Sequence, residues 1–245
     1  MSLQFSHGRI SKGTRVILDV PAIRFPDHCI SAIIGANGAG KSTLLRQLLQ
    51  SPATIWRGEP FRLALKQGRC AWVGQHENFQ LPMTVLEYVL MGHYPRLVWY
   101  RQSPASNRQR AMQWLEIFEL DGLKNKRLET LSGGEKQRAA IVRALLQEAE
   151  ILLMDEPTNH LDIRHQHHLM KQLRLLTAPK PAVIMVLHDI NLAAHYSDFV
   201  VLMKQGKIAA SGSTAEIMQA QVLSDLYDWR ILCEPSGNFI PDYAN

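Results

Sequence analysis

The stretch Ile30-Ser-Ala-Ile-Ile-Gly-Ala-Asn-Gly-Ala-Gly-Lys-Ser42 carries an apolar run directly into a glycine-rich turn, and Ser42 to Gln50 then reads as a helix. Strand, loop and helix in that order, with Gly35 to Ser42 spaced as G-x-x-x-x-G-K-[ST], describe a cradle for phosphate groups. The glycines let backbone N–H groups turn inward onto phosphate oxygens, and the helix N-terminus adds the positive end of its dipole. Lys41 is placed to reach the β and γ phosphates, and the Ser42 hydroxyl is offered to Mg²⁺. The phosphate-binding candidates are Gly35, Asn37, Gly38, Gly40, Lys41, Ser42 and Thr43. Kinases, GTPases and motor ATPases share such a loop, so the class is decided by other signals.

Upstream, the first 34 residues read as short strands and turns, Val16-Ile17-Leu18 among them. Downstream, residues 51 to 74 hold Pro52, Gly58, Pro60 and Gly68 between short β-type runs and predict an irregular antiparallel patch. From Thr84 the pattern becomes helical: Thr84 and Glu87 have capping-box spacing, Val85 and Val89 carry the turn onward, and Pro95 ends it. A helix from about Arg108 to Leu120 places Met112, Leu115 and Phe118 on one face.

After Ser132 a helix to about Glu148, the strand Ile151 to Met154, the helix His165 to Leu176, the strand Val183 to Leu187, the helix Ile190 to Ser197 and the strand Phe199 to Met203 alternate. Such alternation predicts α/β architecture with a mainly parallel sheet covered by helices. The chain reads as one domain: a core at about 1–83 and 131–220 with an N-terminal antiparallel β patch, a helical subdomain inserted at about 84–130, and a tail at about 221–245. In the tail, Leu223 to Leu232 fits a helix or a strand, and Pro235 to Asn245 reads as an extended end.

Asp155 and Glu156 follow the apolar strand Ile151 to Met154, at the C-terminal edge where open α/β sheets bind ligands. Neighbouring strand residues point to opposite faces. The two carboxylates therefore divide the work, Asp155 holding the Mg²⁺ shell and Glu156 polarising the attacking water. In Leu131-Ser-Gly-Gly-Glu-Lys-Gln-Arg138, Ser132 and Glu135 make a second capping box. That account leaves Gly133 and Gly134 unexplained, because glycine in a helix costs about 1 kcal/mol relative to alanine. Exposed N–H groups at this helix start make a second anion site, and one nucleotide can use two such sites when they come from two subunits.

In order along the chain, the phosphate loop, Gln75 after a strand, Leu131 to Arg138, Ile151 to Glu156, Leu161-Asp162 and His188 resemble the ATP-binding-cassette ATPases, and the likeness covers nearly the whole chain. The resemblance implies a P-loop NTPase core that binds ATP with Mg²⁺ and hydrolyses it in a dimer, each site joining one subunit's phosphate loop to its partner's signature segment. It gives Gln75 contact with Mg²⁺ and the attacking water, and Ser132, Gly133 and Gly134 the γ-phosphate across the dimer. It gives His188 the γ-phosphate or the water, and Asp162 coupling between the two sites.

Within that family, Thr84 to Pro95, Leu161-Asp-Ile-Arg-His-Gln166 and Val186 to Tyr196 resemble the importers of iron–siderophore, haem and cobalamin. Zinc and manganese importers share part of the first motif, and a stand-alone soluble cassette serving cofactor assembly or nucleic-acid transactions would use the same ATP chemistry. Two departures stand out. The place of the usual adenine-stacking aromatic falls near Ser11-Lys12, with Phe5 or His7 as substitutes or plain strand residues, and the stretch from Lys41 to Gln75 is short.

Composition agrees with a folded chain: a fifth of the 245 residues are charged and nearly half are apolar, too apolar for disorder. The net charge of +5 fits nucleic acid, anionic lipid headgroups, a polyphosphate ligand or, without any long Lys/Arg run, a plain solvated basic surface, and by itself it decides nothing; no nucleic-acid partner is expected. Cys29, Cys70 and Cys233 lie far apart and odd in number, which supports neither a disulfide framework nor a zinc site and fits a reducing cytoplasm. The N-terminus lacks signal-peptide character, and no apolar run approaches the roughly 20 residues that span a bilayer.

The expected partners are a second copy of the chain, two polytopic membrane permease subunits and, indirectly, an extracytoplasmic substrate-binding protein. The expected location is peripheral, on the cytoplasmic face of the inner membrane. Tyr94, Trp99 and Tyr100 are candidates for the surface that meets the permease and, equally, for core or loop packing.

Overall fold

The computed structural model describes residues 2–13, 15–75, 79–96, 104–176 and 181–243. These form two compact units, residues 1–62 with 169–245, and residues 63–168. In chain order the strands and helices are β1 (Ser2–Phe5), β2 (Gly8–Lys12), β3 (Arg15–Val20), β4 (Ile23–Pro26), β5 (Ile30–Ile34), α1 (Lys41–Gln50), β6 (Thr54–Trp56), β7 (Glu59–Pro60), α2 (Phe61–Lys66), β8 (Cys70–Val73), α3 (Val85–Leu90), α4 (Pro104–Ile117) and α5 (Gly133–Leu146). There follow β9 (Ile151–Asp155), α6 (Ile163–Leu176), β10 (Ala182–Val186), α7 (Ile190–Tyr196), β11 (Phe199–Lys204), β12 (Lys207–Ser213), α8 (Thr214–Ile217), α9 (Ala220–Tyr227), β13 (Ile231–Cys233) and β14 (Phe239–Pro241).

The first unit is built on β5. Its five residues are all buried, as the continuous apolar run Ile-Ser-Ala-Ile-Ile requires of a strand covered on both faces. It pairs in parallel with β10 on one side and β11 on the other, so that Ile33 lies level with Val186 and Val201. β12 closes that edge, antiparallel to β11. The α1 helix contacts β10 through a face that buries Leu44, Leu45 and Leu48. The N-terminal antiparallel patch is present as the order β4-β1-β6-β7, with β2 and β3 pairing as a separate hairpin. β1 alternates as a half-buried strand should, sending Leu3 and Phe5 inward with no exposure. Phe5 is thus a core residue, with no ring face for an adenine, and His7 is exposed.

In the second unit β8 and β9 pair in parallel, and α3, α4 and α5 pack on one another. Thr84 caps α3 with the reciprocal Glu87 bond that the spacing predicts. Leu115 and Phe118 are buried as read, whereas residues 61–66, expected in the antiparallel patch, form α2. Pro60 precedes Phe61-Arg-Leu-Ala-Leu-Lys66, a run dominated by good helix formers, so propensity outweighs the nearby turn signals. The tail also differs from an extended end: Glu234 and Asn238 close a hairpin around Gly237 and pair β13 with β14. Trp99 and Tyr100 lie outside the described residues, as does the side chain of Tyr94. Among the described residues no helix is long and apolar enough to cross a membrane.

Because β5 carries the phosphate loop at its end, its packing sets the loop's stability. The substitution Ile33→Ala is expected to destabilise the chain by about 2–5 kcal/mol, read as a lowered urea midpoint with an unchanged slope.

Candidate functional site

In the first unit the loop after β5 leaves the sheet with Gly35 buried and Ala36, Asn37 and Gly38 exposed at its tip. Gly40 takes φ 98 and serves as the N-cap of α1 without a side-chain bond, so the first N–H groups of that helix have no side-chain cap at that position. Neighbouring backbone braces the loop from behind: Gly206 N–H donates to the Ala39 carbonyl at 2.9 Å, and Asp19 N–H to the Gly206 carbonyl at 2.8 Å. Lys41 is 5 % exposed, and its Nζ donates to the carbonyls of Gly35 at 2.8 Å and Ala36 at 3.1 Å.

A Cβ added at Gly38, where φ is +76, would meet nothing within 4 Å. A left-handed loop around a tethered ammonium and an open tip is a good fit to a polyphosphate. Ser42 and Thr43 are half-buried in the first turn of α1. His188, between β10 and α7, is exposed.

The second unit gathers the acidic pair. Asp155 ends β9 with no exposure, and a carboxylate so buried is costly unless it is paired or binds a metal. Its oxygens suit a hard divalent cation such as Mg²⁺, which takes few protein carboxylates and keeps phosphate and water ligands. Glu156 follows at φ 54, a strained setting for a residue with a side chain, and such outliers persist where the surroundings over-determine them. Here they do: Gln75 Nε2 donates to Glu156 Oε2 at 2.6 Å, and Asn159 Nδ2 donates to the same oxygen. The sequence reading missed Asn159; its signal is an amide three residues beyond Glu156 in a turn too tight for anything but a local bond.

At the start of α5, Ser132 Oγ accepts from Glu135 N–H while Glu135 Oε2 accepts from Ser132 N–H, completing the capping box. These bonds hold the Glu135 carboxyl below the usual carboxylate range, the backbone bond contributing most. Ser132 and Gly133 are exposed. A Cβ at Gly134 would sit 2.8 Å from the His160 carbonyl oxygen, whereas one at Gly133 would make ordinary contact with the His160 ring at 3.6 Å. Packing therefore explains Gly134 and leaves Gly133 free for another purpose. Asp162 caps α6: its Oδ1 accepts from His165 N–H at 2.9 Å and lies 2.8 Å from His165 Nδ1. Those bonds lower its pKa, the backbone one first.

The structure thus brings together Gln75, Asp155 and Glu156 in one unit with Ser132, Gly133, Gly134 and Asp162, and it holds the whole phosphate loop and His188 in the other.

Residues 21–159 match the family described as ABC transporter. The chain is 37% identical over 242 residues to the hemin import ATP-binding protein HmuV of Escherichia coli O157:H7, covering 91% of this chain and 92% of that one. It is 36% identical over 235 residues to the protein of the same name from Thermobifida fusca, covering 90% and 80%. Among solved structures, the ATP-binding cassette MJ0796, a dimer in a post-hydrolysis state bound to ADP and Pi, superposes with a TM-score of 0.73 at 26% identity, covering 87% of this chain and 98% of that one.

The two signature glycines separate in a thermal melt. Gly134→Ala is expected to lose about 1–3 kcal/mol through its clash with a backbone carbonyl, while Gly133→Ala keeps or slightly raises stability, as alanine should in a helix. The Glu135 carboxylate contributes stability above its ordinary pKa, and that contribution is lost as pH falls through the lowered value. A Glu135→Gln variant should therefore be less stable than the parent at neutral pH and approach it in acid, checked by urea titrations across pH 2–7.

Proposed function

Because the chain belongs to the ABC transporter family, and so is an ATP-binding cassette ATPase, we propose that it energises a membrane importer of a haem-type or related iron-chelate cargo. Support for the cargo class comes from the relatives named for hemin import, which match along 80–92% of their own length. The observation that carries the enzymatic reading is the Glu156 carboxylate held by the amides of Gln75 and Asn159 at the end of a buried strand.

In this reading Lys41 and the N–H groups at the start of α1 hold the nucleotide's phosphates in the first unit. The Glu156 carboxylate accepts the proton of the attacking water, and its two amide partners fix the direction from which it does so. The Ser42 hydroxyl in the first unit and the Asp155 carboxylate in the second are each oxygen donors of the kind that would hold Mg²⁺, whose charge would offset that of the phosphates. His188 orients the water or touches the γ-phosphate. Exposed Ser132 and Gly133, with Gly134 behind them, serve a nucleotide held by a second copy of the chain, and Asp162 couples the two sites.

The dimer works peripherally on the cytoplasmic face of the inner membrane with two polytopic permease subunits, and indirectly with an extracytoplasmic substrate-binding protein. In the second unit, residues 84–130 act as the helical subdomain. A cavity of about 300 Å³ there, lined by Leu65, Cys70, Trp72, Met91, Gly92, Arg143, Ala144 and Gln147, offers a permease loop both apolar and guanidinium contacts.

Turnover separates the two charged groups. Glu156→Gln should bind ATP with parental affinity, lose on the order of 10²–10⁴-fold in kcat and trap the closed dimer. Lys41→Ala should weaken nucleotide binding by about 10- to 100-fold in a titration. Affinity capture of Glu156→Gln with ATP from detergent-solubilised cells should recover a polytopic membrane protein at one copy per cassette; recovery of soluble or nucleic-acid-associated partners alone would replace the importer reading with a stand-alone ATPase.

A further inference from the structure

The sequence reading singles out Val186 to Tyr196 and assigns the tail no role, and the structure joins the two. Asn191, in the first turn of α7, faces the β13–β14 hairpin across 48 residues of sequence. Its Nδ2 donates to the Phe239 carbonyl at 3.1 Å and its Oδ1 accepts from Phe239 N–H at 2.7 Å. One amide thus satisfies both backbone groups of one residue, as a neighbouring strand would, and only a side chain with donor and acceptor side by side can do this.

One turn on, His195 Nε2 lies 2.8 Å from Asn238 Oδ1. Positions four apart share a helix face, so the hairpin grips α7 at two levels of the same stripe. The hairpin is itself anchored: Phe239 and Ile231 are buried, Arg230 pairs with Asp242 at 3.2 Å, and Ile231 N–H donates to Ser224 Oγ in α9 at 2.9 Å. α9 is tied in turn to β11, where Lys204 Nζ donates to the Asp225 carbonyl and the Asp228 carboxylate.

The grip falls beside the exposed histidine. Asp189, next to His188, is the N-cap of α7 and accepts from Asn191 N–H at 2.7 Å and Leu192 N–H at 3.1 Å. Tyr227 of α9 is also near it: burial, and then the charge of Asp189, raise the Tyr227 hydroxyl to about 12. A helix of seven residues contributes little rigidity of its own. The direction in which His188 leaves the sheet is therefore set by β10 on one side and by the tail on the other.

We propose that residues 220–243 are a positioning element for His188, acting through the amide of Asn191 and reinforced by the His195–Asn238 contact. This rests on the reading of His188 as a group that orients the attacking water or the γ-phosphate, and the test keeps the two apart. In the full-length chain labelled with ¹⁵N-histidine, Asn191→Ala should shift the imidazole signals of His188. It should also lower kcat by roughly 10- to 100-fold with KM for ATP changed less than about twofold. Asn238→Ala, at the half-buried second contact of the grip, should move both quantities the same way by less, and His188→Ala sets the floor.

Unshifted His188 signals in both variants, or a lowered melting temperature with parental kcat per folded molecule, overturn the proposal. Parental turnover in His188→Ala would overturn the catalytic reading of His188 instead, and the imidazole signals would then decide the positioning by themselves.

Discussion

A loop that binds through its own backbone has no side chains to hold its shape, and the rest of the first unit answers that constraint. Between Gly35 and Gly40 the chain must turn N–H groups toward one centre, which requires left-handed backbone at Gly38 and Gly40. Two of those carbonyls, Gly35 and Ala36, accept from Lys41, so the cation that meets phosphate also staples the loop. The outer side leans on backbone from β3 and from the turn between β11 and β12. The parallel strands β10, β5 and β11 hold these supports at fixed spacing, which explains why a chain with such ordinary composition devotes so many fully buried residues to three short strands.

The legible parts of the sequence were those whose cause is local. The phosphate loop announces itself because strand, glycines and lysine are contiguous. Thr84 with Glu87 and Ser132 with Glu135 are readable because a capping box spans only three residues. The buried strands β5, β9 and β10 are readable because both faces must be apolar. The less legible parts have distant or competing causes. Residues 61–66 sit among prolines and glycines that signal turns, and their helix propensity was outvoted in the reading though not in the chain. The hairpin at the end depends on Asn191, and nothing in residues 231–241 reveals that partner.

The same distinction applies within the candidate site. Glu156 was found from its place after an apolar strand, whereas the bonds that fix it come from Gln75, 81 residues earlier, and from Asn159 just beyond. Gly134 looked like a functional glycine on sequence grounds. Its closest constraint is the carbonyl of His160, a residue itself at φ 63, so two unusual backbone positions meet and account for each other. Gly133, which has no such neighbour, keeps the stronger claim to a binding role.

Recognition of the tail by Asn191 has a consequence for how the chain tolerates change over evolutionary time. The contact reads main-chain atoms, so the identity of residue 239 is restricted only by its burial, and any well-fitting apolar side chain serves. Spacing is another matter: inserting or deleting one residue between Cys233 and Phe239 would bring up a neighbour whose N–H and C=O point to the opposite edge, and the amide would lose both bonds. At position 239 the side chain is thus constrained less than the length of the turn that delivers its backbone.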